Sequence, residues 1–167
     1  HEKTTGDGTV SGFDPKHHRV VPQRGFEDLK TGEKFALPSR TITDANFSAF
    51  QTVSCDNHPI HYDEEYCRAQ GHKGLLAHGL QVLSFTAAGA GLFPHMIGEA
   101  LIGFVEVQAK FLKAVYAGDT LYPALTVTDL KPQRTTGVVT MQATVHNQNG
   151  DLVLEGRHVY LLKLERA

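Results

Sequence analysis

The part of the chain after residue 99 alternates between apolar and polar side chains, a pattern typical of β-strands with one buried face. Three apolar sets lie on alternating positions, the second of them interrupted at position 123: Val105, Val107, Ala109 and Phe111; Leu121, Leu125 and Val127; and Val139, Met141, Ala143 and Val145. A last strand is predicted over 152–164, after the Asn149-Gly150 pair that is typical of a tight hairpin. We expect these strands to form an antiparallel meander, with Gly118-Asp119 turning the first strand into the second.

Helical patterns precede the strands. The stretch from His78 to Phe93 is apolar nearly all round and rich in Ala and Gly, which predicts one long helix packed closely against other backbone. Pro94 is expected to end that helix. Thr43 is a favourable N-cap for a shorter helix over 44–53. Together the two patterns predict an α+β fold, an antiparallel β-sheet wrapped around a long central helix.

Length and composition limit the class of protein. The 167 residues suffice for one domain with a buried core, and 41% hydrophobic with 20% charged residues is typical of a globular chain. A formal net charge of −2 offers no basic surface for nucleic acid, and no apolar run has the length of a membrane span. We therefore expect neither nucleic acid nor a membrane as a partner. Cys55 and Cys67 do not make a disulfide framework, which favours reduced thiols and a cytoplasmic location.

The candidate chemistry lies between the two helical patterns. Asp56 and His61 are five residues apart, and Pro59 between them pushes His58 towards an extended conformation. This predicts an ordered loop that can aim a carboxylate and an imidazole at one point, as acid–base catalysis requires. At the start of the long predicted helix, Gly79 allows a substrate to approach the backbone, where free N–H groups stabilise a developing oxyanion.

These residues resemble the hydratase motif of the MaoC-like dehydratases, the (R)-specific enoyl-CoA hydratases of the hot-dog fold. The matching motif is Asp56-x-x-Pro59-x-His61, followed by Asp63. The His78-Gly79 pair, with Ser84 six residues after the histidine, resembles the start of the central helix of that family. One position departs from the family pattern, because His58 stands where an asparagine is usual. This departure bears on the loop geometry and on the substrate.

The resemblance extends over most of the chain. Residues 26–35 are similar to the usual N-terminal segment of that family, and residues 111–121 are similar to its strand-and-turn segment. We therefore expect an irregular N-terminal extension over 1–25 and a MaoC-like hot-dog domain over 26–167.

The resemblance implies a hydro-lyase that adds water to a trans-2-enoyl thioester, or removes it from the 3-hydroxy product. It implies catalysis by Asp56 and His61, with the Gly79 N–H binding the thioester oxygen. Three further residues are expected to support the site: His58, His78 and Ser84. No metal and no redox cofactor is expected, and coenzyme A or an acyl carrier protein enters as part of the substrate. The family also implies a homodimer or an assembly of dimers.

Other interpretations of the same residues stay open. Asp56 alone would more often cap nearby backbone N–H groups, and Ser84 can bond back to a helix carbonyl. The histidines and cysteines also permit a zinc set, although their spacing is irregular: Cys55, His58, His61 and Cys67. Cations on the strands are expected either on a solvated face or at coenzyme A phosphates: Lys110, Lys113 and Arg157. A hot-dog thioesterase and a non-catalytic acyl-thioester-binding protein are the alternative functions.

Overall fold

The computed structural model describes residues 12–165, which form six β-strands and four α-helices. The strands are β1 Lys34–Ala36, β2 Arg40–Thr41, β3 Leu101–Phe111, β4 Thr120–Pro132, β5 Thr136–His146 and β6 Leu152–Lys163. The helices are α1 Asp44–Ser54, α2 Glu64–Ala69, α3 Gly79–Ser84 and α4 Phe93–Ile97. Short 3-10 helices lie at Pro15–His17, Phe26–Asp28, Pro59–His61, Ala88–Ala90 and Gly98–Ala100. Within the described part of the chain, no helix is long and apolar enough to cross a membrane.

The strands pair in an antiparallel sheet with the order β1-β4-β5-β6-β3, and β2 also pairs with β4. The Asn149-Gly150 turn joins β5 to β6 as predicted, with Gly150 in the left-handed region at a φ of 77°. The predicted meander is wrong at its first step, because β3 pairs with β6 and not with β4. Gly118 turns the chain at a φ of 98°, but the connection crosses the sheet before β4 begins. Consequently β3 is an edge strand of the sheet formed by residues 12–165.

The helical part of the fold differs from the single long helix that the sequence predicts. Helix α3 ends at Ser84, the 3-10 helix Ala88–Ala90 follows, and α4 begins at Phe93. The prediction that Pro94 ends a helix is also wrong, because Pro94 lies in the first turn of α4. In the first turn of a helix the backbone N–H groups have no acceptor within the helix, so the missing N–H of proline costs no hydrogen bond there. The sheet is therefore covered by two short helices joined by a turn.

A contact from the sheet explains why the helix breaks where it does. The Thr86 hydroxyl donates to the Leu83 carbonyl at 2.7 Å and also lies 2.9 Å from Nε2 of His158, a residue of β6. This pair of bonds fixes the end of α3 against the sheet. Gly89 and Gly91 follow at once, and glycine has a low propensity to continue a helix.

The core lies between the sheet and these helices. The predicted inward set of β5 is confirmed, because Val139, Met141, Ala143 and Val145 are all 0% exposed. The apolar residues of β3 are not buried within the chain: Val105 is 58% exposed, Val107 44% and Phe111 53%. The sequence pattern therefore identifies β3 as a strand, but its apolar side chains are not covered by residues 12–165.

The N-terminal segment packs beside α4. The side chain of Gln23 donates to the His95 carbonyl at 2.8 Å, and the Arg24 N–H donates to the Met96 carbonyl at 2.8 Å. The Arg24 guanidinium also forms an ion pair with Glu33, which is near the start of β1. Of the predicted extension over 1–25, residues 1–11 lie outside the described residues, and the boundary at residue 26 stays a prediction.

Candidate active site

The loop that carries the candidate acid–base pair begins at a left-handed residue. Cys55 has a φ of 58°, and its N–H donates to the Gln51 carbonyl at 2.8 Å, which ends α1. Oδ1 of Asp56 then accepts the N–H of His58 at 3.1 Å. The 3-10 helix Pro59–His61 follows and returns the chain towards the carboxylate. The loop predicted from Pro59 is thus present, and it brings the two ends of the motif together.

Asp56 and His61 face each other, with Oδ2 of the carboxylate 3.5 Å from Nε2 of the imidazole. His61 is 8% exposed, and its Nδ1 lies 2.6 Å from the Leu76 carbonyl oxygen. Because a carbonyl only accepts, Nδ1 carries the proton and the lone pair on Nε2 faces the carboxylate. Two acceptors cannot bond to each other, so the pair requires a donor. A water molecule beside the pair can supply it.

The electrostatics keep the carboxylate ionised. The backbone N–H of His58 is the main cause that lowers the pKa of Asp56 below its ordinary value, and the nearby His61 and His78 act in the same direction. The Asp56 side chain is about half-exposed, whereas His61 is buried beneath it. The site therefore presents a negative, solvent-accessible acceptor beside a buried imidazole.

His78 lies directly behind His61. The two rings stack with centroids 3.8 Å apart and an angle of 23° between their planes. Nε2 of His78 is 2.8 Å from the Tyr62 hydroxyl, and Nδ1 is 3.3 Å from Oε1 of Gln81. Burial lowers the pKa of His78, and the neighbouring His61 lowers it further, so His78 is neutral at neutral pH.

Tyr62 is a residue of the candidate site that sequence reasoning missed. Its hydroxyl meets a histidine that is 16 positions further along the chain, and no local pattern indicates such a contact. Its position directly after His61 is the one signal in the sequence that could have drawn attention to it.

Gly79 begins α3 and is exposed. No acceptor among residues 12–165 takes the N–H of Gly79 in a hydrogen bond. The ring of Phe111 lies beside it, because a Cβ added at Gly79 would be 3.3 Å from that ring. Gly79 and Phe111 line a mostly apolar cleft of about 270 Å³, together with Leu76, Val82, Lys113 and Val153 among others. Asp56 and His61 lie outside the lining of this cleft, so Gly79 is the site residue that borders it.

The other predicted supporting residues have local partners. Nδ1 of His58 accepts the Ile60 N–H at 3.2 Å, so this histidine caps the short helix that carries His61. The Ser84 hydroxyl donates to the Gln81 carbonyl at 2.6 Å, which is the bond back to the helix that the sequence left open. Ser84 thus contacts neither histidine of the site through that bond, and its supporting role stays a prediction.

The candidate metal ligands do not assemble as the zinc set permitted by the sequence. In the part of the chain described here, one group of three has ligand atoms within 4.8 Å of one another: Asp56, His61 and His78. Both nitrogens of His78 already have hydrogen-bond partners, which leaves that ring no lone pair for a metal in this arrangement. Cys67 is buried and its thiol donates to the Ile60 carbonyl, whereas Cys55 is exposed.

Two of the three cations proposed for coenzyme A phosphates have acidic partners. Nζ of Lys113 lies 3.0 Å from Oδ1 of Asp151, and Arg157 forms an ion pair with Glu106. Lys113 is the one of the three that borders the cleft beside Gly79.

Comparison with known proteins places this geometry in a family. Residues 27–149 match the family described as MaoC like domain. An (R)-specific enoyl-CoA hydratase of Rhodospirillum rubrum is 33% identical over 131 residues, which cover 78% of this chain and 86% of that protein. A mitochondrial 3-hydroxyacyl-[acyl-carrier-protein] dehydratase of Arabidopsis thaliana is 27% identical over 128 residues, covering 75% and 72% of the two chains.

The structural comparison agrees with the sequence comparison. An Archaeoglobus protein described as a monoamine oxidase regulatory protein superposes with a TM-score of 0.79 and 27% identity. The match covers 87% of this chain and 98% of that one. The fold is the hot-dog fold, an antiparallel sheet packed around helices, as the motif predicted. The chain therefore belongs to the MaoC-like dehydratase family.

Proposed function

We propose that this protein is a hydro-lyase that adds water to a trans-2-enoyl thioester, giving the (R)-3-hydroxyacyl thioester, or removes that water in the reverse direction. The observation that carries the proposal is the arrangement of Asp56 and His61. Their facing acceptor atoms, 3.5 Å apart, form a binding position for a water molecule at an accessible surface. The Rhodospirillum relative, whose name specifies this reaction, supports the same assignment.

In the hydration direction, Asp56 and His61 bind the water and accept one of its protons as a coupled pair. The water oxygen forms a bond to C3 of the substrate as the C2–C3 double bond opens. Electron density moves through C2 to the thioester oxygen. The proton taken by the pair is then returned to C2, so that one water is added across the double bond and the enzyme ends in its starting state.

The negative charge that develops on the thioester oxygen needs a donor. The Gly79 N–H meets this need in the proposal, because it has no acceptor among residues 12–165 and borders the cleft. Where one such donor has been removed from other enzymes, the loss of transition-state stabilisation is about 3 to 4 kcal/mol. A side chain at position 79 would approach the Phe111 ring, which accounts for glycine here.

The acyl group of the substrate is carried as a thioester on coenzyme A or on an acyl carrier protein. The apolar cleft between Gly79 and Val153 can hold an extended pantetheine arm, and Lys113 at its border provides a positive charge for a phosphate. The two relatives named above act on these two classes of thioester, and this chain can be assigned to either class by assay. We place the protein in the cytoplasm, with its two cysteines reduced.

The edge strand β3 supports a homodimer. Its exposed apolar side chains and its unpaired backbone groups form an edge that proteins usually cover. Val105, Val107 and Phe111 all lie on this strand, and their side chains are exposed in the single chain. A second copy related by a two-fold axis covers both edges with one symmetric contact.

The test is an assay for loss of enoyl absorbance and for release of free thiol, run side by side. We expect hydration of at least one member of a panel of straight-chain, branched and dicarboxylic enoyl-CoA esters, together with enoyl-acyl carrier protein, and no thiol release. The Asp56→Asn variant is the matched inactive control. Thiol release without hydration would overturn the proposal in favour of a thioesterase. Binding without either reaction would indicate a non-catalytic acyl-thioester-binding protein.

A further inference from the structure

His61 is held in position by a second imidazole that no step of the proposed reaction uses. Its Nδ1–H bond to the Leu76 carbonyl fixes one point of the ring but leaves the ring free to swing about that bond. The face of His78, stacked at 3.8 Å, blocks this swing on one side. The orientation of Nε2 towards Asp56 therefore depends on where the ring of His78 lies.

His78 is in turn fixed by two hydrogen bonds whose directions can be assigned. Nε2 of Gln81 donates to the Asn46 carbonyl at 2.8 Å, so Oε1 of the same amide faces His78 and accepts from its Nδ1–H. Nε2 of the neutral His78 is then a bare acceptor. The Tyr62 hydroxyl lies 2.8 Å from this nitrogen and 3.2 Å from the Phe47 carbonyl oxygen. Because Nε2 carries no proton, the hydroxyl donates its one proton to Nε2, the nearer acceptor, and the Phe47 carbonyl is the longer contact.

The surroundings keep this ring uncharged. His78 is 2% exposed, and Phe47 and Phe50 approach it edge-on with centroids 5.7 Å and 4.9 Å away. A neutral ring beside His61 allows His61 to become positive when it takes a proton, whereas a charged ring there would oppose that step.

We propose that Tyr62 and His78 are positioning residues that hold the His61 imidazole with its Nε2 aimed at Asp56 and at the bound water. The effect on turnover rests on the proposed function, because it assumes that His61 accepts or returns a proton. The effect on the orientation of His61 does not rest on it.

The experiment removes the donor and leaves the ring. Tyr62→Phe deletes the hydroxyl alone, and Tyr122→Phe, at an exposed tyrosine of β4, is the matched control. We expect Tyr62→Phe to lower kcat by about 10-fold with KM changed less than two-fold, because a small displacement of a catalytic group mainly affects the chemical step. The acid limb of the pH profile should move as well, and Tyr122→Phe should match the wild type.

Nitrogen NMR of the histidine rings provides a measurement that needs no substrate. In the wild type we expect one set of His61 ring signals, with the proton on Nδ1. In Tyr62→Phe the His61 signals should broaden or shift, because the ring takes more than one orientation, while the proton stays on Nδ1. Unchanged His61 signals in Tyr62→Phe would overturn the positioning role even if activity fell. If the wild type hydrated no substrate, the proposed function would fail, and the NMR comparison would still decide the positioning role.

A second variant tests the same positioning role through the other hydrogen bond of His78. Gln81→Met removes the acceptor of the His78 Nδ1–H and keeps the length of a side chain that is 6% exposed. We expect the same broadening or shift of the His61 signals. This variant decides the matter if Tyr62→Phe does not fold, and unchanged His61 signals in it would overturn the proposal.

Discussion

At the scale of single residues, the candidate site consists of two acceptors that are brought together by a short loop. The backbone N–H of His58 holds the Asp56 carboxylate in place, and the Leu76 carbonyl fixes the tautomer of His61. Neither contact involves the packing of the core. Substitutions at the two motif residues should therefore affect chemistry more than folding.

Asp56→Asn and His61→Ala should each lower turnover by about 100-fold or more, the usual range for loss of a general acid or base. Asp63→Asn is the matched control, since Asp63 caps α2 by accepting the Tyr66 N–H at 3.0 Å and asparagine caps equally well. Initial rates on the preferred enoyl thioester, with thermal unfolding of each variant, test this. Near-wild-type turnover in either site variant would remove that residue from the mechanism.

Activity should survive treatment with a metal chelator. The only close group of metal-ligating side chains in the described chain is Asp56, His61 and His78, and both nitrogens of His78 are hydrogen-bonded. The measurement is elemental analysis of the purified protein with assays before and after chelation. A stoichiometric metal whose removal abolishes turnover would contradict the metal-free mechanism.

His158 should make stability depend on pH. Burial lowers its pKa from 6.5 to about 4, so between these values the unfolded chain binds a proton that the folded chain does not. The free energy of unfolding should therefore fall as the pH falls from 6.5 to 4, by about 3 kcal/mol in total. Urea unfolding at several pH values measures this.

The fall should be less steep in His158→Gln. His95→Gln, at an exposed histidine, should leave the wild-type slope unchanged. Equal slopes in all three proteins would show that the charge on His158 does not determine the pH dependence.

At the scale of elements, local signals in the sequence predicted a feature correctly where hydrogen bonds between neighbouring residues hold that feature in place. The cap of α1 is an example, because the Thr43 N–H donates to Oδ1 of Asn46 at 2.8 Å. Gly89 and Gly91 weaken the predicted helix locally, but the position where α3 ends depends on the bond from Thr86 to His158, 72 residues away, which no local pattern indicates. The pairing of β3 with β6 was missed for the same reason.

In the candidate site as well, the local arrangement was predicted from the sequence and the long-range contact was not. The motif placed Asp56 and His61 within a few residues of each other, so the sequence alone brought them together. The contact of Tyr62 with His78 joins two elements whose relative position is set only by the folded sheet and helices.

Gly137 on β5 should not tolerate a side chain. A Cβ there would lie 2.4 Å from the ring of Phe26, which is 7% exposed and has little room to move. We expect Gly137→Ala to lower the free energy of unfolding by about 1 to 3 kcal/mol through overpacking. Gly89→Ala, where a Cβ meets nothing within 4 Å, is the control. Equal stability of both variants would refute the tight contact between the N-terminal segment and the sheet.

At the scale of the whole molecule, the exposed edge strand predicts the assembly. Light scattering should give at least twice the chain mass of 18.3 kDa. Val107→Lys should shift the protein towards monomer, because a charged side chain at a covered edge is unfavourable. Leu92→Lys, at an apolar residue that is 55% exposed and outside the strand, should leave the mass unchanged. A fully active wild-type monomer would rule out the assembly.

The contact between Phe111 and Gly79 links the predicted assembly to the proposed chemistry. Phe111 belongs to the edge strand, and its ring rests against the residue whose N–H is proposed to bind the thioester oxygen. A partner chain that covers β3 therefore also fixes the wall beside this N–H. By mass action, dilution should then lower the specific activity of the wild type at concentrations where dimers dissociate, and Val107→Lys should show the lower value even when concentrated.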